Sequence, residues 1–289
     1  MSEPDMDALR GWIGREEEAS DVITPGLVER FTATLGPSAF AQAGSAPLAI
    51  HWCLAPPAVP PAMIGPDGHP RRGGFLPPVP LPRRMWAGGR LRLIEPLTIG
   101  KTVTRRSRIA DITRKTGRSG EMIFVAVDHV FECDGREAIR ERHDIVYREA
   151  ASPATASPRA GGAPAGSDEN AAADGQTVCD TVEATPPLLF RYSALTFNAH
   201  RIHYDLDYAR DVEGYPGLVV HGPLQATLMI HLAARMRGGP PREMVYRGLA
   251  PLFHGSAFTV NARPDGDGAA EAWCASADGV TTMTASMRF

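Results

Sequence analysis

The sequence has no long hydrophobic run. Its longest unbroken apolar stretch, Met122 to Val127, spans six of 289 residues, far below the ~20 that a membrane-spanning helix requires. We therefore expect no membrane association. Nor does one charge dominate. A formal net charge of -3 gives no global basic field for nucleic acid or anionic lipid. Cysteine is scarce and scattered: Cys53, Cys133, Cys179 and Cys274 form no CxxC pair. That argues against zinc, dithiol chemistry and a disulfide framework. The glycine pairs in "GGRLRL" and "GRSG" precede no Gly-Lys-Ser/Thr, so they read as turns and not as phosphate loops. The first twenty residues hold six acidic side chains and no apolar core. No secretory signal is expected there, and a cytoplasmic protein with reduced thiols fits best.

Residues 151–175 also lack large apolar side chains, and Ala, Gly, Pro and Ser fill 19 of their 25 positions. Such a segment cannot bury enough surface to offset its ordering entropy, which predicts a flexible linker. It separates an N-terminal unit, 1–150, from a C-terminal unit, 176–289. The two units repeat one order of features. "RLRLIEPLTIGKTVTRRSRI" (Arg90 to Ile109) and "MVYRGLAPLFHGSAFTVNAR" (Met244 to Arg263) share a strand-like run, a Pro-Leu-x-x-Gly turn and an alternating run. A strand pair carrying Asp-Gly, a hairpin signal, follows in each. The last strand alternates with period two: Thr281, Met283, Ala285, Met287 and Phe289 share one face.

Pro223 to Arg235 reads as a helix apolar nearly all round, which must be buried nearly all round. A buried helix followed by antiparallel strands suggests a sheet wrapped around a helix. We therefore expect an α+β double hot-dog. The N-terminal copy is less regular. Its helix candidate is Pro25 to Leu35, with Thr24 as N-cap and Gly36 at the stop. Residues 55–82 hold ten prolines and read as a long ordered loop or strap.

Chemistry concentrates in "TFNAHRIHYD", Thr196 to Asp205, just before a short helix starting near Tyr204. His203 would stand at that helix entrance, with Asn198, Arg191 and Arg201 on the approach. Eighteen residues later comes "HGPLQ", where Gly222 would be the N-cap of the buried helix and Pro223 its first residue. A backbone N–H at a helix N-terminus can hold an oxygen that becomes negative. A basic imidazole beside such a donor is what addition of water to a conjugated thioester requires. The bland alternatives stand beside these roles. Asn198 also suits a turn. Arg191 and Arg201 suit a substrate carboxylate, a CoA phosphate or an ordinary surface ion pair. His200 reads as supporting the site, and His221 as orienting the loop. Arg83, Arg84 and Trp86 could receive the CoA nucleotide or simply form the strap. His231 reads as a satisfied core histidine. His51, His69, His129 and His143 have no partner at an informative spacing.

These motifs resemble the MaoC-like, (R)-specific hydratase family. In its pattern Asp-x-Asn-Pro-(Ile/Leu)-His, followed by His-Gly, Asn198 occupies the Asp place, His200 the Asn place and Arg201 the Pro place, while Ile202-His203 and His221-Gly222 match. "FNAHRIHYD" is similar to the subgroup of type 2 hydroxyacyl-thioester dehydratases and the mesaconyl-C4-CoA and itaconyl-CoA hydratases. "GGFLPPVPLPRRMWAGGRL" (Gly73 to Leu91) resembles the FAS1-like dehydratase domain. The resemblance implies a hydro-lyase acting on an enoyl or 3-hydroxyacyl-CoA thioester. His203, Asn198 and Gly222 would be catalytic, with no metal or redox cofactor and a homodimer plausible. Arginines near the site would favour a short dicarboxylic acyl group. Where the family pattern has a carboxylate, this chain has Asn198, which cannot take a proton but can hold a water. His203 would then carry the proton transfer. The rival functions are a hot-dog thioesterase and a non-catalytic acyl-CoA-binding module.

Overall fold

Element order repeats once along the chain. The computed structural model describes residues 4–117, 120–149 and 176–289. The expected linker, 151–175, lies outside them. The first pass runs α1 (Met6–Arg10), β1 (Glu16–Val22), α2 (Pro25–Leu35), β2 (Arg83–Leu93), β3 (Thr102–Gly117), β4 (Gly120–Cys133) and β5 (Arg136–Arg148). The second runs β6 (Val178–Glu183), α3 (Pro186–Thr196), α4 (Gly222–Arg237), β7 (Glu243–Gly248), β8 (Ala257–Pro264), β9 (Ala269–Ala275) and β10 (Thr281–Arg288). All ten strands form one antiparallel sheet in the order β1-β3-β4-β5-β2-β7-β10-β9-β8-β6. Read outward from the β2–β7 seam, the two halves have the same topology.

Local chemistry explains the repeat. Thr24 and Thr185 each accept a hydrogen bond from a first-turn N–H, and Pro25 and Pro186 open the helices behind them, where a missing N–H costs nothing. Gly100 and Gly255 sit at φ 84° and 93°, a region that penalises any Cβ. The shared Pro-Leu-x-x-Gly turn is thus one backbone conformation used twice. Asp134 and Gly135 both take positive φ and close β4 onto β5 in two residues, as an Asp-Gly hairpin should. The second Asp-Gly, Asp278-Gly279, lies in a longer loop between Ala275 and Thr281, with only Gly279 at positive φ. On the outer edge, the acids of β1 meet the arginines of β3: Glu17 pairs with Arg105 at 3.0 Å and Glu18 with Arg106 at 2.8 Å. Those charges fix the register of an otherwise polar edge strand.

α4 is the core. Every residue from Leu224 to Ala234 is buried, and the helix packs chiefly on β8 and β9. Complete burial of Leu224, Met229 and Ile230 contributes about 1.5–3 kcal/mol for each side chain. His231 is accommodated there because both ring nitrogens are satisfied. Nδ1 accepts from the Phe40 N–H at 2.8 Å, and Nε2 donates to the Leu48 carbonyl at 3.0 Å. It is the core histidine that the sequence suggested, and it also ties an N-terminal loop to the C-terminal helix. α2 has the expected bounds and cap, but it packs on α3. Between α2 and β2 the first pass has only short 3₁₀ turns where the second pass has α4. No helix among the described residues is long and apolar enough to cross a membrane.

Candidate active site

Four segments meet at one cleft of about 1620 Å³: the end of α3 with the loop after it, the start of α4, the inner stretch of β2 and the proline-rich strap. α3 ends where Phe197 takes a left-handed conformation, φ 50°. This is uncommon and costly for a large non-glycine residue. The reversal turns Asn198 toward the cleft. The Asn198 side-chain oxygen accepts from the His200 N–H at 3.0 Å. The turn role and the site role are therefore held by one side chain: the carbonyl shapes the loop and the amide NH₂ is left for the cleft.

A 3₁₀ turn over Arg201–His203 follows. His203 is 7% exposed, and its Nδ1 lies 2.7 Å from the Val219 carbonyl. A carbonyl only accepts, so Nδ1 carries the hydrogen and Nε2 keeps the basic lone pair. The His203 ring stacks on His221, with centroids 3.6 Å apart. His221 Nε2 is in turn 2.8 Å from the Ser193 hydroxyl. Burial is the main force lowering the His203 pKa, to about 4, and it holds His221 further down. The His203 ring is thus neutral well below neutral pH. Accordingly kcat/KM should stay level from pH 8 to pH 6 in short assays. A histidine titrating at its ordinary 6.5 would lose about fourfold over that range, and such a loss would overturn this assignment.

The N-cap of α4 is His221, with Gly222 first in the helix. This is one position earlier than the sequence suggested. The Gly222 N–H is still one of the first N–H groups of the helix, which lack intrahelical partners. Gly222 lines the same cleft as His203 and Asn198. A Cβ there would sit 2.9 Å from the Trp86 ring and 3.4 Å from the Met283 methyl, so glycine keeps the approach to this N–H open. Trp86 stacks on Tyr246 at 4.5 Å, which commits that ring to the wall. Arg84 lines the cleft beside it.

Two expected binding residues are elsewhere. Arg201 bonds Asp205 at 2.8 Å and the Pro66 carbonyl at 3.1 Å, and lies over the Tyr208 ring. Arg191 is exposed on α3. Neither lines the cleft. Asp205, which also caps the following turn through the Tyr208 N–H, is equally turned away.

The strap supplies residues that no sequence spacing pointed to. Gly68, at φ 90°, lies so close to the Ala199 carbonyl that a Cβ would overlap it. The Asp67 carbonyl accepts from the Arg201 N–H at 2.9 Å. This contact sets His69 against His200, with centroids 4.1 Å apart, while Asp67 holds His69 Nδ1 at 3.1 Å. His200 is itself 5.6 Å from His203. Burial first, then the Arg84 charge, lowers the His69 pKa to about 4. Asp67, His69 and His200 each offer one ligand atom within 4.8 Å of the others, so they could hold a metal ion. His51, His129 and His143 also find partners. Glu141, fully buried, accepts from His143 at 2.6 Å, Trp52 at 2.8 Å and Tyr246 at 3.2 Å, and His51 lies 3.5 Å from its other oxygen. His129 meets the Ser107 hydroxyl at 2.8 Å. This network backs the wall that carries Trp86 and Tyr246.

The family model for hydroxyacyl-thioester dehydratase type 2 matches residues 49–254. The chain belongs to that family. As a type 2 hydroxyacyl-thioester dehydratase homologue it is a hydro-lyase, and the hydratase motif expected around His203 falls inside the match. It is 44% identical over 258 residues to the mesaconyl-C(4)-CoA hydratase of Chloroflexus aurantiacus, covering 89% of each chain. The fold matches a MaoC-like dehydratase from Phytophthora capsici, with TM-score 0.67 at 15% identity and 99% of each chain covered. It also matches a conserved hypothetical protein of Mycobacterium tuberculosis with a double hotdog fold, with TM-score 0.56 at 14% identity and 96% of each chain covered. The hydratase/dehydratase is thus an α+β double hot-dog, and the motif expected to be catalytic lies at the entrance to α4.

Proposed function

We propose that the protein reversibly hydrates a short dicarboxylic enoyl-CoA, the C4 thioester of mesaconate. One observation carries the reading: a histidine with a fixed tautomer and a helix-terminal N–H line the same cleft. In this reading the thioester carbonyl sits on the Gly222 N–H, and water is held by the Asn198 NH₂ and His203 Nε2. As the water oxygen bonds to the β-carbon, Nε2 takes its proton and the electron pair moves onto the thioester oxygen. The enolate is stabilised by Gly222, and the α-carbon then receives the proton. Dehydration is the reverse. No metal or redox cofactor takes part. The protein acts in the cytoplasm as a homodimer, without nucleic acid or membrane partners.

Support for the substrate comes from the Chloroflexus relative, named for mesaconyl-C(4)-CoA. Neither a thioesterase nor a binding module needs a water placed at the β-carbon. The test follows enoyl-thioester absorbance and free thiol with crotonyl-CoA and mesaconyl-C4-CoA. Absorbance should fall without thiol release, and dialysis against a chelator should leave the rate unchanged. Thiol release would identify a thioesterase, and binding without either change a module. Loss of activity on chelation would place a metal on Asp67, His69 and His200.

A further inference from the structure

The cleft lining is rich in arginine, and its carboxylates are already engaged. Glu17 pairs with Arg105, Asp67 with His69, and Glu213 with Arg83 at 3.1 Å. Arg72 is turned onto the carbonyls of Val79, Leu81 and Pro82. Arg247 is exposed. Arg84 and Arg148 are both half-buried in the lining without a carboxylate partner among the described residues, but Arg148 sits against Tyr215, whereas Arg84 sits on the side of the cleft that holds His69 and His200. A guanidinium withdrawn from water without a counter-charge is costly, which is reasonable where the counter-charge arrives with a ligand.

Its position says which part of a ligand it meets. Arg84 and Trp86 are two apart on β2, so both project from one face of the strand, and Trp86 is the residue packed against Gly222. On its other side Arg84 acts on His69 and His200, which lead to His203. Arg84 therefore lines the cleft between the Trp86–Gly222 contact and the His69–His200 pair. We infer that Arg84 binds a carboxylate borne on the β-carbon of the acyl group and selects dicarboxylic thioesters over plain enoyl ones. This rests on the hydratase reading above. In the C4 thioester of mesaconate the free carboxylate is bonded to the carbon that receives water. Its recognition element must then open onto the same cleft as His203 and Asn198, as Arg84 does. The planar fork of arginine suits such a group through two parallel hydrogen bonds.

Saturated thioesters test this apart from turnover, since they cannot be hydrated. Methylsuccinyl-C4-CoA carries the β-carboxylate, and isovaleryl-CoA has a methyl in its place. By calorimetry on the full chain, the first should bind about 10²-fold tighter. R84M should reduce that preference to about threefold or less. R84K keeps the charge but loses the fork and should fall between. Equal affinities in the unaltered protein, or a preference that survives R84M and R84K, would overturn the assignment. Absence of hydration of mesaconyl-C4-CoA alongside a preference that depends on Arg84 would instead defeat the hydratase reading.

Discussion

Replacing His203 with alanine should lower kcat/KM on an enoyl-CoA by about 10²–10⁴-fold, the usual contribution of a positioned general acid–base group. No nearby amide or carboxylate is placed to substitute, and the His221 ring stacked on His203 has its Nε2 engaged by the Ser193 hydroxyl. Asn198 cannot take a proton, and its oxygen is occupied by the His200 N–H. Asp205 is bound by Arg201 and caps a turn outside the cleft. Asp67 is held by His69. The fold should survive, because Val219 remains anchored by its own N–H to the Ile202 carbonyl at 2.9 Å. Substrate affinity should change much less than turnover, since the Gly222 N–H and the cleft walls remain. Steady-state kinetics with thermal unfolding as a control measures this. Full turnover by a folded H203A protein would remove His203 from the chemistry.

What the sequence revealed follows from how each signal is encoded. Pro96 and Gly100 against Pro251 and Gly255 betrayed the repeat, because the turn they build depends on φ values that few residues tolerate. α4 was legible because burial on all sides leaves no polar stripe. His203, Asn198 and Gly222 were legible because each sits next to a turn or helix end of its own segment. The strap was opaque for the opposite reason. Its partner for His200 lies about 130 positions upstream, in "GPDGHP", and only the close passage of Gly68 over Ala199 brings His69 there. Residues 55–82 did read as an ordered strap, so an Asp-x-His inside them was a usable hint. Arg201 misled because its neighbours in sequence are site residues, yet on a 3₁₀ turn its side chain leaves on the other side, toward Asp205 and Tyr208. Adjacency along the chain was a poor guide to direction in space.

Acidification below pH 6.5 should destabilise the protein steeply, before any carboxylate titrates. His69, His203 and His231 are pushed down to about 4, His129 to about 3 and His200 to about 2, with His221 also held far down, in every case mainly by burial. Unfolding returns each to an ordinary value near 6.5. The unfolded chain therefore binds more protons than the native one across the interval between the two values. Their contribution is complete above pH 6.5 and is lost as pH falls toward the folded values. Each group accounts for about 1.4 kcal/mol per pH unit in that window. Six such groups reach, within about two units, the ~5–15 kcal/mol that holds a domain folded. The hydrogen bonds give an atomic reason. His231 Nδ1 accepts from the Phe40 N–H, so protonating it would set two donors face to face inside α4. Urea titrations at pH 7.5, 6.5, 5.5 and 5.0 should show a falling midpoint with an unchanged m-value. Replacing His231 with glutamine, which can both accept and donate, should flatten the slope by close to one proton. A midpoint constant from pH 6.5 to pH 5.0 would mean that these imidazoles are not held neutral by the fold, and the neutral His203 base would fail with them.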